Sequence, residues 1–162
     1  MNKNNLFFLT LFSTGLLIML KKDTRPRGIR NNNGGNIRWD GRTQWQGMIG
    51  QDDKGFIIFD NPEHGIRAIT RILKSYARRG VQTVPQIINT WAPPNGVEPL
   101  TGETYTNNTT SYINNVLSKT KLRPSDKVTA DKYAVLIDAI IKHENGQQPY
   151  TEQQIKTGIA LA

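Results

Sequence analysis

Glu144 is the residue best placed by type and spacing to do chemistry. It follows Ile140 by four positions and Ile141 by three, so helical spacing carries it onto the face of an apolar stripe. It also falls in the last turn before Asn145-Gly146, where the negative end of the helix dipole opposes a further negative charge. Both effects are expected to favour a carboxyl that keeps its proton, which is what a general acid in glycoside cleavage requires. The Asn145-Gly146 turn would leave that carboxyl at the mouth of a cleft. The plainer reading is a helix-terminal glutamate that swings into solvent or pairs with Lys142 or Lys119.

Glu63 is the second candidate. It stands at a helix start, where the positive dipole end suits a carboxylate base or a structural cap. His64 and His143 each adjoin a glutamate, so a site of two histidines and two glutamates can be drawn. No His-Glu-x-x-His spacing supports it, and no metal or other cofactor is expected. Asp40, Asp52 and Asp53 fall in or near a hairpin, where a second carboxylate could face a cleft or simply make a turn. The chain has no cysteine, which excludes thiolate zinc sites, disulfides and cysteine nucleophiles. With two histidines in all, carboxylate chemistry is what remains for an enzyme.

The elements that must hold these residues follow from the pattern. Asp23–Asn36 is rich in Arg, Asn and Gly and reads as a turn-prone loop, packed by Ile29 and Ile37. Trp45–Gly50 and Gly55–Asp60 flank Gln51-Asp52-Asp53-Lys54 as a hairpin, with Phe56-Ile57-Ile58-Phe59 rich in strand formers. Asn61-Pro62-Glu63 opens a helix carrying Ile66, Ile69, Ile72, Leu73 and Tyr76 until Gly80. Thr83–Trp91 forms a short helix ended by Pro93-Pro94, and Pro93–Thr110 reads as a long loop. Tyr112–Leu117 starts another short helix. Ala130–Glu144, capped by Thr129, is the strongest, with Tyr133, Leu136, Ile137, Ile140 and Ile141 on one face. Thr151-Glu152-Gln153-Gln154 has capping-box spacing and opens a last helix through Leu161. The chain is thus mainly α (α+β), with one small β-hairpin.

Its 162 residues suit one compact domain plus an appendage. The appendage is Leu6–Leu20, an uncharged run that passes directly into Lys21-Lys22-Asp23 without the small residues of a signal-peptidase site. As a helix it spans about 22 Å, short of the roughly 30 Å hydrocarbon core. Lysine snorkelling and slight bilayer thinning cover the difference. Residues 1–22 are therefore expected to form a transmembrane anchor, with 23–162 as the functional domain. Lys21, Lys22, Arg25, Arg27 and Arg30 behind the run, against Lys3 before it, place that domain on the cytoplasmic side by the positive-inside rule. The formal charge of +8 favours polyanions, cell envelope included. No motif points to specific nucleic-acid binding.

Several short motifs occur together in a fixed order: Arg27-Gly28-Ile29-Arg30-Asn31-Asn32-Asn33, Gly35-Asn36-Ile37-Arg38, Glu63-His64-Gly65-Ile66-Arg67-Ala68, Trp91-Ala92-Pro93-Pro94, Ser111-Tyr112-Ile113, and His143-Glu144-Asn145-Gly146 with Pro149-Tyr150. In this the chain resembles a family of small phage structural proteins with lysozyme-like, peptidoglycan-degrading character, found in tailed phages and in corticovirus-type phages with an internal membrane. The likeness covers Arg27 to Ala162. It departs at Gly34, where the family is expected to have proline, and in a longer segment between Pro94 and Ser111. The end of the Glu144 helix is also similar to the soluble lytic transglycosylase pattern, although here that helix follows the hairpin instead of preceding it.

The resemblance implies a lysozyme-like helical domain that cleaves β-1,4 glycan strands of peptidoglycan, as a lytic transglycosylase or a muramidase. Glu144 or Glu63 would be its acid. A second carboxylate would imply hydrolysis, at about 5–5.5 Å separation for retention or about 6.5–9.5 Å for inversion. Trp91, Tyr112 and Asn36 are candidates for sugar stacking and amide contacts, or for core packing and loop bonding. The expected partners are peptidoglycan glycan strands, a membrane through Leu6–Leu20, and other virion proteins. The expected location is the virion's internal membrane, and the host inner membrane during assembly. The alternative is a membrane-anchored phage structural protein, without enzymatic activity, that binds envelope or capsid.

Overall fold

The computed structural model describes residues 23–97 and 102–162. The proposed anchor Leu6–Leu20 lies outside them. Among the described residues, no helix is long and apolar enough to cross a membrane.

A single helical turn, α1 (Arg27–Arg30), leads into the Asn-rich loop. Strands β1 (Met48–Gln51) and β2 (Ile57–Phe59) pair antiparallel, with an irregularity between Met48 and Gly50 that leaves Ile49 exposed. Along β2 the alternation is strict: Ile57 and Phe59 enter the core while Ile58 does not. Helix α2 (Pro62–Arg78) begins where the sequence places it. Asn61 accepts the His64 amide as cap, and Pro62 occupies the first turn, where a missing N–H costs nothing. Helix α3 (Val84–Trp91) starts with a complete capping box between Thr83 and Gln86.

The segment expected to be one long loop contains a second antiparallel pair, β3 (Asn95–Val97) and β4 (Thr104–Thr106), so the single-hairpin expectation is corrected to two small sheets. Thr104-Tyr105-Thr106 is β-branched and aromatic, a strand signal masked by the surrounding Asn, Gly and Pro residues. Helix α4 (Thr109–Thr120) is longer at both ends than Tyr112–Leu117, with Asn108 as cap. It consists largely of weak helix formers and is held by burial of Tyr112, Val116 and Thr120. Helix α5 (Tyr133–Asn145) follows a 3₁₀ turn (Ala130–Lys132). Thr129 does not cap it; its hydroxyl bonds Asp131 instead. Gly146, at φ +68°, ends α5 as expected. Helix α6 (Glu152–Ala160) opens on the Thr151–Gln154 capping box.

The core lies where α2, α5 and α6 meet the inner face of β2, with α4 and α3 closing the other side of α5. Ile66, Ile69, Leu136, Ile137, Ile140 and Ile141 are fully buried there. The α2–α6 approach is close. A Cβ on Gly158 would stand 2.6 Å from the Ile66 side chain and 2.8 Å from the Glu63 carbonyl oxygen. Gly158→Ala therefore opposes two effects. It gains about 1 kcal/mol of helix propensity but overpacks a contact for about 1–3 kcal/mol. Because one of the colliding atoms is backbone, overpacking should win, and chemical denaturation should show a net loss of stability.

Candidate active site

The site is built by the Asn-rich loop and the end of α5. Asn33, fully buried, donates from Nδ2 to the carbonyls of Ile37 (2.8 Å) and Ile57 (2.9 Å), and its Oδ1 accepts the Ile37 amide (2.9 Å). This fastens the loop to β2. From the other side Asn145 donates to the Gly34 carbonyl (2.8 Å) and to that of Ile141 (2.9 Å), fastening the loop to α5. Between these ties Asn36 takes a left-handed backbone, φ +48°, which asparagine tolerates better than most residues. Gly35 lets the indole of Trp91 close over the loop, since a Cβ there would lie 2.8 Å from Trp91 and 2.9 Å from Ile69.

Asn36, Trp91 and Tyr112 all converge on Glu144. Its Oε1 accepts the Trp91 indole N–H (3.1 Å) and the Tyr112 hydroxyl (3.1 Å), and its Oε2 accepts the Asn36 amide (3.0 Å). The swing toward solvent does not occur. Lys119 pairs with Asp138 at 3.2 Å, and the Lys142 ammonium donates to the Gly146 carbonyl at 2.7 Å. The apolar surroundings expected from helical spacing are also corrected, because three polar donors arriving from distant segments surround the carboxyl.

Tyr112 is almost wholly buried, and its ring stacks on His143 with centroids 3.6 Å apart and planes 9° from parallel. Burial, reinforced by the neighbouring charge of Glu144, pushes the Tyr112 phenol far above its ordinary pKa, so it remains a donor. Burial likewise pulls the His143 imidazole below its usual value, with the Glu144 charge acting the other way.

Glu144 faces an open cleft of about 540 Å³ whose walls include Trp91, Tyr112, Tyr105, Asn107, Phe56 and Arg38. The cleft continues past Trp91 and Tyr105 into a smaller hollow of about 280 Å³ bordered by Ile72 and Tyr76. Tyr105 was hidden in the presumed loop. Phe56 and Arg38, read only as strand and basic residues, form a cation–π pair at 4.0 Å on the cleft wall.

The other candidates lie elsewhere. Glu63 sits in the first turn of α2 and does not line the cleft. His64 pairs with Asp60 at 2.6 Å and does not meet His143 or Glu144. Among the described residues no group of three or more His, Asp or Glu converges on a metal position. Asp40 makes a turn, its carboxyl held down at about 2 by the Thr43 hydroxyl and by the amides of Thr43 and Arg42. For Asp52, burial opposes the charge, but hydrogen bonds from Asn31, Phe56 and Lys54 and the Arg27 guanidinium outweigh it and hold the carboxyl below its usual range. Among the described residues lining the cleft, Glu144 is the one carboxylate.

No protein-family model matches the chain. It is 37% identical over 163 residues to Protein P5 of Pseudoalteromonas phage PM2, an alignment covering 98% of this chain and 96% of that protein. The chain belongs to the family of that phage protein.

The buried phenols give the protein an alkaline limit. Tyr112 and Tyr150 both have raised folded-state values, Tyr150 to about 12, so the folded chain holds protons that the unfolded chain releases above about pH 10. Their contribution is complete below that pH and is lost as pH rises beyond it, at about 1.4 kcal/mol per pH unit for each tyrosine. Denaturation between pH 8 and 11.5 should show this decline. Tyr112→Phe should weaken the slope above pH 10, after a loss of about 1 kcal/mol at neutral pH from the missing hydroxyl bond.

Proposed function

We propose that this phage protein is a virion-associated peptidoglycan-degrading enzyme with lysozyme-like character, which cleaves β-1,4 glycan strands using Glu144 as its acid. The observation that carries the reading is a single carboxyl held by three donors at the wall of an open, aromatic-lined cleft. Aromatic faces beside amide groups suit sugar rings and their acetamido substituents. The hollow beyond Trp91, which shares Asn36, Arg38, Trp91 and Tyr105 with the cleft, offers further room beside it.

A single carboxylate favours the lytic transglycosylase route over hydrolysis. Glu144 gives its proton to the glycosidic oxygen as the bond from that oxygen to the anomeric carbon breaks. The resulting carboxylate then takes the proton of the C6 hydroxyl on the same sugar. That oxygen closes on the anomeric carbon, giving a 1,6-anhydro product and restoring the acid. Asn36 can serve both proton states. Its Nδ2 donates to the carboxylate, and its Oδ1 is buried without a partner, so a rotated amide would accept from the protonated carboxyl. In this reading Trp91 and Tyr112 fix the orientation of Glu144 and border the sugar path.

We place the enzyme at a membrane, the internal membrane of the virion and the host inner membrane during assembly, through the uncharged run Leu6–Leu20. Insertion resists salt, whereas attraction of a basic surface to lipid headgroups does not. The full-length chain should therefore stay with membranes through high-salt washing. Release of intact protein by salt alone would overturn this placement.

Glu144→Gln tests the chemistry without destroying the fold. The glutamine oxygen still accepts from Trp91 and Tyr112, and its amide can be met by a rotated Asn36. Loss of general acid catalysis costs about 10²–10⁴-fold, so release of soluble glycan fragments from purified sacculi should fall by that factor. Glu63→Gln should change turnover little and stability by about 0.3–1 kcal/mol. An active Glu144→Gln protein would remove the assignment. A wild-type protein that binds sacculi without cutting them would favour the envelope-binding alternative.

A further inference from the structure

A second hollow, of about 640 Å³, opens between the last turns of α4 and α5 and meets the cleft at His143, which borders both. Lys119, Lys121, Lys142, Asn115 and Ser118 also line it, so every charged side chain in its lining is cationic. Its charge needs accounting, because two helix C-termini point their carbonyls this way. Each brings about half a negative charge, and Asp138 beside Lys119 brings one more. Three lysines exceed these by about one positive charge. Lys142 is partly occupied in covering the Gly146 carbonyl, and Lys121 stands at the left-handed C-cap of α4. On the α4 side Lys119 is already paired with Asp138, so the excess there is about the one charge of Lys121.

Resting on the reading of the cleft as a glycan site, we propose that this hollow receives the carboxylates of the short peptides carried by the glycan strand next to the bond that is cut. A peptidoglycan strand in the main cleft has peptide substituents on alternate sugars, and those peptides end in free carboxylates. His143, stacked flat on Tyr112, borders both spaces, so a substituent leaving the sugar path beside Glu144 would have the lysine-lined space next to it. The two hollows flanking the cleft differ in chemistry. The one beyond Trp91 has Ile72, Tyr76 and a single cation, Arg38, in its lining, while this one has three lysines, an asymmetry that would favour one direction of the bound strand.

The test titrates the full chain in mild detergent with short glycan fragments of three kinds: peptide-bearing, peptide-free, and peptide-bearing with the carboxylates amidated. The wild-type protein should bind the peptide-bearing fragments about tenfold more tightly than either of the others, with the preference fading as salt rises. In a Lys119→Gln/Lys121→Gln variant that preference should collapse toward unity. Equal binding of all three by the wild type, or a preference that survives in the variant, overturns the proposal. Circular dichroism of the variant separates lost recognition from lost folding, and a single Lys121→Gln variant, at an exposed cap, gives the intermediate case. Because the readout is binding, it decides the matter even if sacculi are not cleaved; the glycan reading itself fails only if no fragment binds.

Discussion

The buried amide of Asn33 is the interaction on which the site rests. One side chain satisfies two carbonyls and one amide that would otherwise be sealed away from water, and in doing so it joins the Asn-rich loop to β2. Removing it would leave the Ile37 amide without this acceptor, at about 1–3 kcal/mol for a buried polar atom left unpaired, while the Ile37 carbonyl would still accept the Ile57 amide. The neighbouring residues extend the seam. Asn32 donates to the Phe59 carbonyl, and the Phe59 amide donates to the Asn31 carbonyl. Asn145 then carries the loop across to α5. The loop has no repeating backbone pattern of its own, so side-chain amides do what a sheet ladder does elsewhere.

That seam explains how residues distant in the chain reach one carboxyl. Glu144 sits near the C-terminus, Asn36 near the start of the described chain, and Trp91 and Tyr112 at two helices between them. Each approach is fixed by something other than the carboxyl itself: Asn36 by the two amide ties, Trp91 by the bare surface of Gly35, Tyr112 by burial and the His143 stack. The donors that orient Glu144 are thus held by the fold itself and not by the carboxyl they meet.

Much of this was legible in the sequence, and the reason is local. Asn61-Pro62, Thr151 with Gln154 and Gly146 are signals whose physics is complete within a few residues, and the structure uses each of them. The apolar stripe of α5 is equally self-contained. Thr129 failed because a 3₁₀ turn, Ala130–Lys132, stands between it and the start of α5, and its hydroxyl is turned to donate to Asp131. The pair β3–β4 was missed because its strands are three residues each and depend on one another. The surroundings of Glu144 were misjudged for a deeper reason. Helical spacing gives the direction in which a side chain points, but the three groups that meet it come from other segments.

The order of elements bears on what the site can be. In lysozyme-like chains the helix ending in the acid precedes the hairpin, whereas here it follows both hairpins. Chain order does not constrain the chemistry, since a cleft needs only a carboxyl at a helix end, a wall to oppose it and room for a polymer between them. Here β3–β4, through Tyr105, and the Phe56–Arg38 pair supply that wall, and the Asn33 seam fixes its separation from α5. With one carboxylate among the described residues that line the space, both proton transfers of the proposed glycan cleavage would fall to the same group. The amide of Asn36, whose Nδ2 meets the carboxylate and whose Oδ1 is buried without a partner, would on rotation offer that oxygen to the protonated carboxyl.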